Sequence, residues 1–260
     1  MLRKQKSLPL TGYPNILLLT ATITPPSAAK LARKDPAIRL KDYLKALKFY
    51  LPLVTQCIDY IIFAENSNSD ISCLQALVKE AELNDKVEFI VIYGLDYPWS
   101  YGRGYGDFKL IEHVMNHSQL INTHPKSIIW KVTGRYIIRN LCHIIATKPA
   151  DFDIYCHFEN RYISRISLTL LYLLAWTPYG YQVGLKNIYH ELRCDITKQI
   201  AEITFKKIIE QRLKIIKIVP RFKVPIRLDA IISTNKQVAS WHPRQILKYY
   251  IQRLIPWWWI

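Results

Sequence analysis

The sequence predicts an α/β fold: an open, mainly parallel twisted sheet flanked by helices, followed by a helical and basic C-terminal portion. Three observations predict it. Over residues 15–140, short apolar runs alternate with amphipathic stretches, the pattern of strands joined by crossover helices with both sheet faces covered. Pro, Gly, Asn and Asp clusters punctuate the runs. The chain has 260 residues, half of them hydrophobic, enough for one sizeable core. No internal repeat or low-complexity linker divides it. Residues 1–260 therefore read as a single domain, with an α/β half over about 15–160 and a second portion over about 161–260.

Each element has its own signal. NILLLT (Asn15–Thr20), bounded by Pro14 and TITPPS, reads as a buried strand ending in a loop. Asp35-Pro36 opens a helix that runs to about Leu51, with Ile38, Leu40, Tyr43, Leu44, Leu47 and Leu51 on its apolar side. Ile58–Ala64 is a second strand. Asp70 caps a helix to about Leu83, Val87–Ile92 is a third strand, and Asp107 caps a helix to about Asn116. Ile128–Val132 is a fourth strand and Phe152–Phe158 a fifth. Ile163–Trp176 reads as a buried helix, and Ile196–Ile218 as a long helix capped by Asp195. Past Pro220 the chain reads as irregular.

The formal net charge is +16, and it is concentrated at the ends: +8 over residues 1–50, −2 over 51–205 and +10 over 206–260. Basic ends suit an anionic surface. The tail LKYYIQRLIPWWWI (Leu247–Ile260) sets Trp257, Trp258 and Trp259 beside Lys248 and Arg253, which favours lipid headgroups over nucleic acid. The alternative is that these tryptophans cap the core. The longest apolar run, Ile166–Trp176, is eleven residues, short of the ~20 a bilayer crossing needs. The basic N-terminus lacks the apolar stretch and cleavage site of a signal peptide. Cys57, Cys73, Cys142, Cys156 and Cys194 are scattered and form no C-x-x-C pair. They read as free buried thiols of a reducing cytosol and argue against a structural zinc site.

In open α/β sheets ligands bind beyond the carboxyl ends of the strands. Here those ends carry Thr20 and Thr22, then Glu65, Asn66 and Ser67, then Thr133, Gly134 and Arg135. Asn66 and Asn68 either make turns or join Glu65 in contacting a ligand, while Asp70 reads as a helix cap. Gly102, Gly104 and Gly106 free the backbone for close approach, Arg103 adds a fork of donors, and the following helix N-terminus offers N–H groups to an anion. This G-x-G-x-G run is not the dinucleotide fingerprint, whose third glycine and preceding strand it lacks. Lys131 and Arg135 flank a buried run, where a cation needs an anion. A diphosphate would serve, as would Glu65, Asp107 or Asp153.

IIFAENSNSD, GRGYGDFKLIEHVM and IIWKVTGRY together resemble the GT-A-type glycosyltransferases, and more closely a set of bacterial proteins from surface-polysaccharide gene clusters with an ENS turn, a GKGYGE-like loop and a K-x-T-G-R-Y strand. The helix DPAIRLKDYLKALKFYL is similar to theirs as well. The resemblance covers about residues 15–160. It implies a GT-A-like fold whose α/β half binds a nucleotide-sugar donor through Thr20, Thr22, Glu65, Asn66, Ser67, Arg103, Gly104, Lys131, Thr133, Gly134 and Arg135. It further implies transfer of a sugar to a glycan or lipid-linked acceptor in capsule or lipopolysaccharide synthesis. The enzyme would be cytoplasmic and peripheral on the inner face of the plasma membrane. Where the family has its D-x-D metal motif, this chain has WKVTGRY, without a carboxylate. The expectation is therefore no metal cofactor, with Lys131, Arg135 and Arg103 neutralising the leaving diphosphate. Mg²⁺ or Mn²⁺ is the alternative, with Asp151 and Asp153 of DFD as a rival site.

An inverting transfer needs a general base. Glu191, beside His190 in NIYHELRCD, is the first candidate and Glu159 in CHFEN the second. Asp195 and Glu202 read as a helix cap and a helix face. A retaining mechanism needs no such base. His113 and His117 lie i, i+4 on one helix but have no third ligand. Two further readings compete: a basic nucleic-acid-binding protein, and a transferase that has lost its activity. A nucleotidyltransferase would need paired carboxylates at the strand ends, and the sequence has none there.

Overall fold

The computed structural model describes residues 10, 12–29, 31–161, 166–231, 237–239, 243, 247, 250–251 and 254–255. Trp257, Trp258 and Trp259 lie outside the described residues. β1 (Asn15–Ala21), β2 (Tyr60–Glu65), β3 (Val87–Val91), β4 (Ile128–Thr133), β6 (Ile154–Tyr155), β9 (Leu173–Trp176) and β10 (Ile218–Val219) form one seven-stranded sheet in the order β10-β6-β9-β4-β1-β2-β3. All pairings are parallel except those of β9, which runs antiparallel between β4 and β6. The open, mainly parallel sheet of the sequence reading is thus present. A three-stranded sheet joins β5 (Ile137–Ile138), β11 (Leu228–Ile231) and β12 (Gln237–Ala239), and a hairpin pairs β7 (Phe158–Arg161) with β8 (Ile166–Thr169).

Alternation along β1 builds two cores. Leu17 and Leu19 face α1 (Pro36–Tyr50) and α2 (Ser72–Glu80), with Tyr43, Leu47, Leu74 and Val78. Ile16 and Leu18 face α3 (Arg103–His117) and the Ala201–Arg212 helix, with Phe108, Ile111, Val114, Phe205 and Ile209. A strand covered on both sides reads as continuously apolar, which is why NILLLT carries no visible alternation of polarity.

Several sequence expectations are corrected. On α1, Asp35 caps as expected, accepting from the N–H groups of Ala37 and Ile38, but Ile38 is 42% exposed and Arg39 takes the buried stripe instead. Asp70 is not the cap of α2, which falls on Ile71; it accepts instead from the N–H and hydroxyl of Ser72 at the helix start. Ile163–Trp176 is not a helix: β8 and β9 occupy its described part, because β9 finds a partner in β4 (Ile129 opposite Trp176). A short apolar run is compatible with either element, and the neighbour decides. The long helix at Ile196–Ile218 breaks at Lys198, which adopts a left-handed φ of 55°. Asp195 pairs with Arg193 rather than capping a helix. The region past Pro220 contributes β11 and β12. Cys57 and Cys142 are not free thiols; they form a disulfide with Cα atoms 5.3 Å apart, across 85 positions of sequence that periodicity could not connect.

Two packing devices position the strand ends. Glu65 is 0% exposed, and only donors surround its carboxylate. It accepts from the N–H groups of Ile23 (2.9 Å), Ser67 (2.9 and 3.0 Å) and Ser69 (3.1 Å), and from the Ser67 hydroxyl. One side chain thus ties the loop after β1 to the loop after β2. The second device is a set of glycines. A Cβ on Gly104 would lie 2.1 Å from the Ala201 Cβ, and one on Gly102 2.4 Å from the Cys194 Sγ. The missing side chains let the segment Cys194–Ala201 seat directly on the start of α3. Gly102 also has φ +87°, a conformation L side chains rarely adopt.

Both devices give measurable expectations. Glu65→Gln turns an NH₂ group toward backbone donors and should lower unfolding free energy by about 1–3 kcal/mol in urea titration. Gly104→Val forces the Ala201–Arg212 helix away from α3 and should cost about 1–3 kcal/mol by overpacking, read as a lower unfolding midpoint.

Candidate active site

A cleft of about 790 Å³ opens beyond the carboxyl ends of β1 and β4. From β1 the chain proceeds to β2 and β3 on one side, whereas β4 lies on the other. The cleft therefore sits at the point where strand order reverses, the place where open α/β sheets bind ligands. Its volume falls within the range of small-molecule sites, roughly 300–1,000 Å³.

Three walls differ in chemistry. Thr20 and Thr22 from the end of β1 and Asn66 from the end of β2 form a polar wall, where Asn66 Oδ1 accepts from the Thr22 hydroxyl at 2.7 Å. Arg39 and Tyr43 of α1 back this wall: Arg39 donates to the carbonyls of Thr22 (2.7 Å) and Arg33 (3.2 Å) and to the Tyr43 hydroxyl (3.2 Å). The second wall is the N-terminus of α3 with Gly102, Arg103, Gly104, Gly106 and Asp107. No side chain caps this end, and the first N–H groups of a helix have no acceptor within it. The third wall holds Thr133, Arg135, Tyr136 and Tyr172 on one side and Ile200, Ala201 and Glu202 on the other.

Charge is distributed sparingly. Arg135 donates to the Ile231 carbonyl at 2.6 Å, which anchors the small sheet while its guanidinium lines the cleft. Burial pushes the Tyr136 hydroxyl above its usual range, while Arg135 and Arg103 pull the other way and Glu202 acts within the same reach. Burial likewise raises the Cys194 thiol, again with Arg103 and Glu202 in reach. Arg103, Arg135 and Glu202 thus share one pocket of field. Burial also raises the Tyr97 hydroxyl to about 12, reinforced by Asp107.

Of the sequence-derived site residues, Thr20, Thr22, Asn66, Arg103, Gly104, Thr133 and Arg135 meet at the cleft. Gly134 backs it: its N–H donates to the Thr20 carbonyl at 2.8 Å, and a Cβ would lie 2.9 Å from that oxygen. Glu65 and Ser67 do not line it, because each is engaged in joining the β1 and β2 loops. Lys131 is corrected most sharply. It is 0% exposed on its side chain and bonds Asp107 at 2.5 Å and the Leu171 carbonyl at 2.9 Å, so its charge is answered inside the protein. Asp107 is correspondingly no helix cap; α3 starts at Arg103 and places Asp107 in its second turn. Gly104 and Gly106 belong to that helix rather than to a loop.

Glu191 is absent from the cleft and forms an ion pair with Arg212 at 2.7 Å. Glu159 is buried on β7 opposite Leu168; Leu168 lines the cleft and Glu159 does not. Glu202 is the carboxylate that sequence reading set aside. An acid in the first turn of a helix is ordinary, so no local signal marked it. Arg39 did carry a signal, since it shares an i, i+4 stripe with Tyr43, Leu47 and Tyr50.

Asp107 is the carboxylate of the second wall. It is committed to Lys131, and among the described residues no group of three His, Cys, Asp or Glu could hold an ion. Asp151 and Asp153 lie before β6, at the sheet edge opposite the cleft, where Asp151 pairs with Lys217 and Asp153 accepts the Lys217 N–H. His117 and His113 stack on each other, with no third ligand beside them among the described residues.

No protein-family profile and no curated protein matches the chain. Solved structures do. One is a protein assigned as a nucleotide-diphospho-sugar transferase from Desulfovibrio desulfuricans G20, with TM-score 0.46 and 11% identity, covering 80% of this chain and 79% of that one. Another is mouse xyloside xylosyltransferase 1, with TM-score 0.41 and 10% identity over 80% and 84% of the two chains. The bifunctional glycosyltransferase WbbM aligns at TM-score 0.44 and 6% identity, over 85% of this chain and 40% of its own.

Proposed function

We propose that this chain is a glycosyltransferase that seats a nucleotide-sugar donor in the cleft and moves its sugar to a hydroxyl of a glycan or lipid-linked acceptor in surface-polysaccharide synthesis. One observation carries the reading. At the β1/β4 switch point, an anion-receptive wall faces a polar wall across a space of nucleotide-sugar size, with a carboxylate at its rim. The open end of α3, Arg103 and Arg135 suit a diphosphate. Thr20, Thr22 and Asn66 suit ribose and base.

In the transfer, the acceptor oxygen attacks the anomeric carbon, the bond from that carbon to the diphosphate oxygen breaks, and the acceptor proton passes to a base. Glu202 is the base in this reading, replacing Glu191, which is spent on Arg212. Arg103 and Arg135 receive the charge that builds on the departing diphosphate, without a metal. Lys131 acts at one remove, by fixing Asp107 beside the helix end. The basic and Trp-rich C-terminus would keep the enzyme on an anionic membrane, where a lipid-linked acceptor lies.

Thermal melts against UDP-, GDP-, CMP- and dTDP-sugars test the donor site. One nucleotide at a hundredfold excess over its Kd should raise Tm by roughly 5–10 °C, and Arg135→Ala should abolish the rise. No rise with any nucleotide would overturn the reading. Once the donor is known, Glu202→Gln should lower kcat by about 10²–10⁴-fold while keeping the donor-induced rise. Turnover should persist in excess EDTA; loss restored by Mg²⁺ or Mn²⁺ would sink the metal-free transfer.

A further inference from the structure

The segment between Arg193 and the Ala201–Arg212 helix stands at the rim of the cleft. Cys194–Thr197 forms one helical turn. Lys198 ends it in the left-handed region, with its N–H returned to the Cys194 carbonyl at 3.0 Å. The turn is held from below. Arg193 lies over the Tyr101 ring at 3.7 Å and pairs with Asp195 at 2.6 Å, and Cys194 and Ala201 rest on Gly102 and Gly104. The Thr197 hydroxyl donates to the Arg193 carbonyl at 3.0 Å. The result is a rigid knuckle at the rim of the cleft, which Cys194 and Ile200 line.

Beyond the part of Ile200 that lines the cleft, the knuckle turns bulky aliphatic side chains to solvent. Ile196 is 64% exposed and Ile200 53%. Lys198 is exposed between them, and Lys207, also exposed, reaches back to Gln199 at 2.9 Å. Neither lysine has a carboxylate within ion-pair distance among the described residues. The acids nearby are engaged: Asp195 with Arg193, and Glu210 with Lys206. Glu202 turns to the cleft. Two bulky aliphatic side chains around an uncompensated cation, on a braced turn, complement the acyl–headgroup boundary of an anionic bilayer. The apolar groups enter and the ammonium groups meet lipid phosphate. A nucleic acid would instead want aromatic faces, and this segment presents none.

We propose that the Ile196–Ile200 knuckle docks on an anionic lipid surface and sets the mouth of the cleft against it. This deepens the membrane side of the proposed function. It uses residues unrelated to the tryptophans of the tail and rests on no assumption about the donor.

The test is co-sedimentation of the full chain with vesicles of equimolar phosphatidylcholine and phosphatidylglycerol, and with pure phosphatidylcholine. The wild type should partition to the anionic vesicles. Ile196→Ser combined with Lys198→Glu should lower that partition about tenfold or more. Both positions are exposed, so the unfolding midpoint should hold. Ile196→Trp should raise the partition. Unchanged partition in the double variant overturns the knuckle and leaves vesicle binding to other residues. Absence of wild-type binding, equal binding to neutral vesicles, or binding of a single-stranded oligonucleotide in place of vesicles also overturns it. The nucleotide-sugar melts, run on the same double variant, report separately on the donor reading. A retained rise with lost vesicle binding supports the knuckle. Lost vesicle binding without any rise in the wild type supports it too, and removes the donor reading alone.

Discussion

A buried carboxylate surrounded only by hydrogen-bond donors holds the floor of the cleft. Parallel strands end in loops that have no reason of their own to keep register with one another, and the ladder between β1 and β2 stops at Ala21 and Glu65. Glu65 continues the connection through its side chain, gathering N–H groups from Ile23, Ser67 and Ser69. Thr22 and Asn66, which lie on either side of that junction, are consequently brought within hydrogen-bond distance. Removing a buried acceptor from several donors is costlier than the mean value of its bonds suggests. The residue is thus a positioning group for the polar wall, although its place at the end of an apolar strand had suggested a ligand contact.

The opposite wall depends on side chains that are absent. Gly102 and Gly104 bring Cys194 and Ala201 onto the start of α3, and with them come Ile200 and Glu202 from a distant part of the chain. A helix N-terminus, two arginines and a carboxylate then share one space although nearly a hundred positions separate Arg103 from Glu202. Lys131 completes the arrangement from beneath. Its Nζ is too deep to meet a ligand, yet its bond to Asp107 fixes that carboxylate in the wall of the cleft beside the open helix end. The same packing leaves the outward face of the 194–200 turn without a partner, which is why one local device shapes both the cleft and the exposed knuckle beside it.

Much of the α/β half was legible. Strands β1 to β4 and helices α1 and α2 fall close to their expected spans, because long apolar runs and caps such as Asp35-Pro36 report local preferences that the tertiary structure keeps; α3 starts a turn earlier than expected, at Arg103. The second portion was legible only where it was basic. ISLTLLYLLAW is apolar enough for a buried helix or a buried strand, and the free edge of β4 selected the strand. The left-handed turn at Lys198 carries no glycine to announce it, so an apparent long helix became a turn, a helix and a strand.

By itself, then, the sequence determined the layered α/β class, the strand ends on which Thr20, Thr22, Asn66, Thr133 and Arg135 sit, and a β4 without carboxylates. These follow from periodicity and from residue chemistry at known offsets. Only the tertiary structure decided which charged groups are spent and which remain available. Glu65 binds backbone, Lys131 binds Asp107 and Glu191 binds Arg212, whereas Glu202 reaches the cleft. Whether a buried charge is satisfied depends on groups far away in the chain, and no local pattern encodes that distance.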